Sequence, residues 1–161
     1  MKNLKAKSGS GGAIGAIVAL IVIVAVVIYF SQNNPLNQSY VPSVSFTLSQ
    51  SSVSVRSGQA SGIIIATVTK QDSQNTPTNF TISLKPAVPE ITLAFVSTCS
   101  GTHGYNCTTK TLSAHGSYDE AEFEVMGTPP ANTTIIANVS VNLYWEGKLL
   151  GHKILSVTLN S

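Results

Sequence analysis

The chain has 161 residues, room for one hydrophobic segment and one domain of about 120 residues. Nine basic residues face seven acidic ones, but Lys2, Lys5 and Lys7 precede the first apolar run and leave six against seven beyond it. A nearly neutral domain with a single Arg and no basic cluster lacks the phosphate contacts that dominate nucleic-acid affinity, so no DNA or RNA partner is expected.

Residues 1–12 read as a short basic cytoplasmic leader. After Lys7 no charged residue occurs until Arg56, and Ala13 to Phe30 is an unbroken apolar stretch of 18 residues. At 1.5 Å per residue such a helix covers about 27 Å, close to the hydrocarbon thickness of a bilayer. A secretory signal has a shorter apolar core and a small-x-small cleavage site, whereas this run ends in the bulky "VVIYF". Residues 13–30 therefore read as a transmembrane or filament-core helix. The three lysines before it place the N-terminus in the cytoplasm and the rest of the chain outside, as a single-pass membrane protein or part of a surface filament.

Gly11 and Gly15 form G-x-x-x-G, and Ala19 continues the four-residue spacing. Small residues on one helix face let backbones approach closely, so Gly11, Gly15 and Ala19 are candidate helix-packing residues. The expected partners are the membrane and further copies of the chain.

"KAKSGSGG" followed by "AIGAIVALIVIVAVVIYF" resembles the N-terminus of archaeal type IV pilin-like precursors. That resemblance implies a basic leader cut before the helix, here between Lys7 and Gly12, and a helix that becomes the filament core. The chain departs from the family pattern in having Ser8 after Lys7 and no Glu or Gln early in the helix.

Residues 31–43, "SQNNPLNQSYVPS", read as an extended linker, rich in Asn and Gln with two prolines. Beyond it the period changes to two. Alternation in 45–49, 52–56, 80–85, 121–125 and 137–145 predicts half-buried strands, and β-branched runs at 62–69, 91–97 and 152–160 are of strand length. Turn formers such as "SGQASG", "QDSQNTPTN", "SGTHGYN" and "WEGK" separate them. About eight short strands without helical period predict an immunoglobulin-like antiparallel β-sandwich over residues 44–161. The segment order, from "FTLSQSSVSVRSGQASGIIIATVT" to the long closing "YDEAEFEVMGTPPANTTIIANVSVNLYWEGKLLGHKILSVTLN", also resembles the Ig-like repeats of archaeal surface proteins. That resemblance implies a scaffold or adhesion module.

Cys99 and Cys107 bracket "CSGTHGYNC". In an exported domain the default is a disulfide, worth about 2–3 kcal/mol for so short a loop. Two free thiols, or zinc held by Cys99, His103, Cys107 and His115, are the alternatives; spacing of four suits ligands on a helix, which this Gly- and Ser-rich stretch does not favour.

The acidic cluster Asp119, Glu120, Glu122 and Glu124 alternates with Ala121, Phe123 and Val125, which puts the three glutamates on one strand face toward solvent. No histidine has a Ser or Asp partner at a recognised spacing and no Gly-rich phosphate loop follows a strand, so neither enzyme activity nor a cofactor or metal is expected. Five N-x-Ser/Thr sequons make Asn37, Asn79, Asn106, Asn132 and Asn138 candidate glycosylation sites. Asn138 sits mid-strand and qualifies only if its side chain points outward, alternating with inward Val139 and Val141.

Together these features suggest a non-catalytic, pilin-like extracellular subunit. A single-pass anchored surface or stator protein gripping the cell envelope, and a membrane-inserted structural protein of an archaeal virus, share the same layout.

Overall fold

A computed structural model of the chain describes residues 40–96 and 99–161. The expected leader, the expected helix at 13–30 with Gly11, Gly15 and Ala19, residues 31–39 of the expected linker and the sequon at Asn37 lie outside the described residues. Among those described no helix is long and apolar enough to cross a membrane.

Pro42–Ser161 forms one compact unit, built from ten strands: β1 (Val44–Leu48), β2 (Ser52–Arg56), β3 (Ile64–Lys70), β4 (Thr81–Pro86), β5 (Ile91–Phe95), β6 (Gly101–His103), β7 (Asn106–Thr108), β8 (Tyr118–Gly127), β9 (Thr134–Trp145) and β10 (Lys148–Asn160). Alternate side chains turn inward: Ile64, Ala66 and Val68 on β3, Ala121, Phe123 and Val125 on β8, Val139, Val141 and Leu143 on β9, Leu155, Val157 and Leu159 on β10. All are buried in one continuous core shared by two sheets.

One sheet has the order β1-β3-β8-β5 and the other β2-β10-β9-β4-β7-β6. Every pairing is antiparallel except β2 with β10, which run parallel. With β1, β3, β4, β5, β8, β9 and β10 in the places of strands A, B, C, D, E, F and G, the first sheet reads A-B-E-D, and G-F-C lie together in the second. This is the immunoglobulin-like sandwich. The chain crosses between the sheets after β1, so β2 pairs at the far edge with β10.

Two glycines show how tightly the layers close. A Cβ on Gly127 would lie 2.5 Å from Leu159 Cδ1 and 2.8 Å from the backbone oxygen of Glu90, so nothing larger fits there. Gly151, beside a bulge in β10, sits against the Phe46 ring, 3.0 Å from where a Cβ would stand. The β9–β10 turn places Glu146 and Gly147 both at positive φ, 47° and 79°. That primed-turn geometry matches the twist of the long hairpin strands it joins.

Two strands exceed the sequence expectation. β6 and β7 form inside "CSGTHGYNC", with Gly104 turning at φ 56°, and β7 joins the edge of β4 with Cys107 opposite Ile82. The segment has no apolar alternation to announce a strand; pairing with β4 and a covalent tie supply the order instead.

Candidate functional site

Cys99 and Cys107 are joined in a disulfide, with Cα atoms 5.6 Å apart. Cys107 is buried in the core and Cys99 packs at its margin. The bond fastens the segment entering the β6–β7 hairpin to the hairpin's second strand, at the edge of the six-stranded sheet. Both thiols are consumed, which leaves His103 and His115 without the thiolates that the zinc alternative required. His103 is exposed, and His115 Nδ1 donates to Gln71 O at 2.8 Å.

The outer surfaces of the two sheets differ in chemistry. On the six-stranded sheet, side chains across β2, β10 and β9 form a polar ladder: Asn160 Nδ2 donates to Ser54 Oγ at 2.9 Å, and Thr134 Oγ1 donates to Asn160 Oδ1 at 3.4 Å. Asn142 and His152 pair in the same layer, Oδ1 to Nδ1 at 2.7 Å. Asn138 stands here, exposed and opposite Ser156, between the fully buried Val139 and the half-buried Ala137. Asn106 is exposed on β7, opposite Ser83. Asn79, exposed between buried Thr78 and Phe80, continues the outward alternation of Thr81 and Ser83. Asn132 is exposed in the turn leading into β9, at a φ of 58° that Asn tolerates. The four described sequons thus have outward-facing asparagines, three of them on one sheet's outer surface.

The four-stranded sheet presents another surface. Glu120, Glu122 and Glu124 of β8 project from it as the alternation requires, Glu120 exposed and the other two half-buried. Glu122 lies opposite Ile65 of β3, Glu124 opposite Ala94 of β5, and Val96 N donates to Glu122 O at 2.9 Å. Asp119 points the other way and binds Lys110, through its backbone N at 2.8 Å and its Nζ at 3.1 Å.

The sequence reading missed Lys70. It ends the inward row Ile64, Ala66, Val68 of β3, and its side chain is completely buried. Nζ donates to Gln74 O, to Thr76 O at 2.9 Å and to Ser113 O at 3.3 Å, and pairs with Asp72 Oδ1 at 3.2 Å. Asp72 also accepts from Ser43 N and Gln74 N, both at 3.2 Å. One ammonium thereby fastens the β3–β4 connection to the segment preceding β8. The inward parity of a lysine at the end of an apolar strand was the available signal.

Among the described residues no group of three or more His, Cys, Asp or Glu side chains gathers as metal ligands do.

No family model matches the chain, and no curated protein matches it. Similar solved structures include the periplasmic chaperone SfaE, 8% identical over 72% of this chain with a TM-score of 0.44. They also include the N-terminal domain of PorA, 11% identical over 73% of this chain and 97% of that one with a TM-score of 0.42. PapD-like domain 7 of human CEP192 is 10% identical over 78% of this chain and 90% of its own, at 0.41. The chain spans 56% of the SfaE chain. Likeness at such identity concerns fold alone.

Proposed function

We propose that the chain is a non-catalytic structural subunit of a pilin-like surface filament, in which residues 13–30 supply the anchoring and assembling helix and the sandwich is carried outside as a glycosylated sheath. The observation that carries this reading is the change of physical character along the chain. An uncharged apolar run with small residues at four-residue spacing gives way to a separate β unit with its own closed core. The outward-facing sequon asparagines fit a sandwich exposed to a glycosylating compartment, and the disulfide fits an oxidising one.

Gly15→Leu tests it. The substitution places a bulky side chain in the small-residue stripe while making the segment more apolar, so insertion is retained. Assembly should fail while membrane targeting survives. If the Gly15→Leu protein forms the same oligomers or filaments as the parent, the helix is a passive tether and an anchored surface protein becomes the better reading. The mature N-terminus, read by mass spectrometry, should fall between Lys7 and Gly12.

A further inference from the structure

The β9–β10 ladder turns two isoleucines outward. On the outer face of the six-stranded sheet Ile136, Asn138 and Ser140 of β9 stand opposite Thr158, Ser156 and Ile154 of β10. Ile136 is 74% exposed and Ile154 43%, so both present apolar surface to water while the inward rows of the same strands close the core. Asn138 stands between them. Ile136 is its same-face neighbour two residues back, about 7 Å along the strand, and Ile154 is its diagonal neighbour on the partner strand, about 7–8 Å away. Ser140, Ser156 and Thr158, all half-buried, place hydroxyl side chains around the three.

We infer that the first sugars of an N-linked glycan on Asn138 are seated on Ile136 and Ile154. A pyranose ring has a face of C–H groups and a rim of hydroxyls. The face excludes water from the isoleucines, while the rim exchanges hydrogen bonds with Ser156 and Thr158. Because the sugar is tethered in the middle of the patch, it docks without the entropy loss of a free ligand. The same tether holds other proteins off this part of the sheet. The seat rests on the reading of the sandwich as a glycosylated sheath, and gives one of its glycans a role in stability. Covering about 40 Å² of isoleucine surface multiplies the folded-to-unfolded ratio about fivefold.

The test uses the full chain purified from producing cells into detergent micelles. Glycopeptide mass spectrometry reads the occupancy of Asn138, and denaturant unfolding followed by Trp145 fluorescence reads stability. Asn138→Gln, which removes the glycan, should lower the folded-to-unfolded ratio about fivefold in the parent and about twofold or less in Ile136→Thr/Ile154→Thr. Ile154→Thr alone leaves the sequence around the sequon unchanged, so attachment proceeds as in the parent, and it should reduce the effect to about threefold. The same substitutions in protein from a host that attaches no N-linked sugar correct for the side chains themselves. Asn79→Gln, which removes the sequon just before Thr81 and its partner Tyr144, should cost the same with and without the isoleucines. An occupied Asn138 whose loss is equally costly in both backgrounds, or a bare Asn138 beside an occupied Asn79 or Asn132, would overturn the seat and leave the glycosylated sheath standing. No sugar at any sequon would overturn both.

Discussion

Replacing Lys70 by Met would keep most of the buried stem and delete only the ammonium. Three backbone carbonyls would then lose a donor, and Asp72, whose side chain is 14% exposed, would lose its counter-ion. Breaking a buried pair from one side costs about 3–5 kcal/mol. Thr76 O keeps the Thr78 hydroxyl as a donor at 2.9 Å, and residues 73–77 are exposed, so the connection can relax and recover part of the loss. That places the expected cost near the lower end, about 3 kcal/mol. With an unfolding entropy of about 2.1 cal/mol/K per residue, a unit of about 120 residues loses roughly 12 °C in Tm. Trp145 is the chain's only tryptophan, so its fluorescence follows unfolding of the sandwich within the full protein. Adding Asp72→Asn to Lys70→Met should return about 1 kcal/mol, since the carboxylate that lost its counter-ion is gone while the Gln74 and Ser113 carbonyls still lack the ammonium and Thr76 O keeps the Thr78 hydroxyl. Hydrogen exchange in residues 71–78 should accelerate before the rest of the sandwich. A Lys70→Met protein within about 0.5 kcal/mol of the parent would refute the clamp, because that is the range of substitutions at featureless surface sites.

Reduction of Cys99–Cys107 should release up to about 2.5 kcal/mol of chain-entropy stabilisation, with faster exchange concentrated in residues 99–108; peptide mapping without reductant should recover the two cysteines in one linked species. Gly127→Ala should destabilise by about 1–3 kcal/mol through overpacking, since one of the contacts it would create is with the backbone oxygen of Glu90; chemical denaturation measures it. Glu146→Asn should stabilise by about 1 kcal/mol, because Asn accepts the left-handed conformation at the first position of the primed turn, and a raised Tm is the readout.

The legible parts of the fold were those in which local pattern and tertiary environment agree. β3, β8 and the paired ends of β9 and β10 alternate so regularly that inward and outward residues follow from parity, and the glutamates of β8 and the outward Asn138 were read that way. Strand ends were less legible. β9 and β10 extend to the "WEG" turn because a two-residue primed loop lets pairing continue to its last residue, while composition there suggests a longer break. The β6–β7 hairpin depends on pairing with β4, a contact between distant segments that a local window does not contain. The parallel pairing of β2 with β10 is illegible for the same reason. Lys70 was hidden by habit of composition: a lysine ending an apolar strand is usually solvated, and its burial depends on carbonyls brought from two connections.

A chain that polymerises through its apolar segment would display the sandwich along the polymer. Gold-labelled antibody raised against the sandwich, applied to intact producing cells and viewed by electron microscopy, tests it most directly. Polymerisation requires gold in continuous rows along thin filaments leaving the surface, absent from cells carrying Gly15→Leu. Label spread evenly over the cell envelope, unchanged by Gly15→Leu, would contradict it.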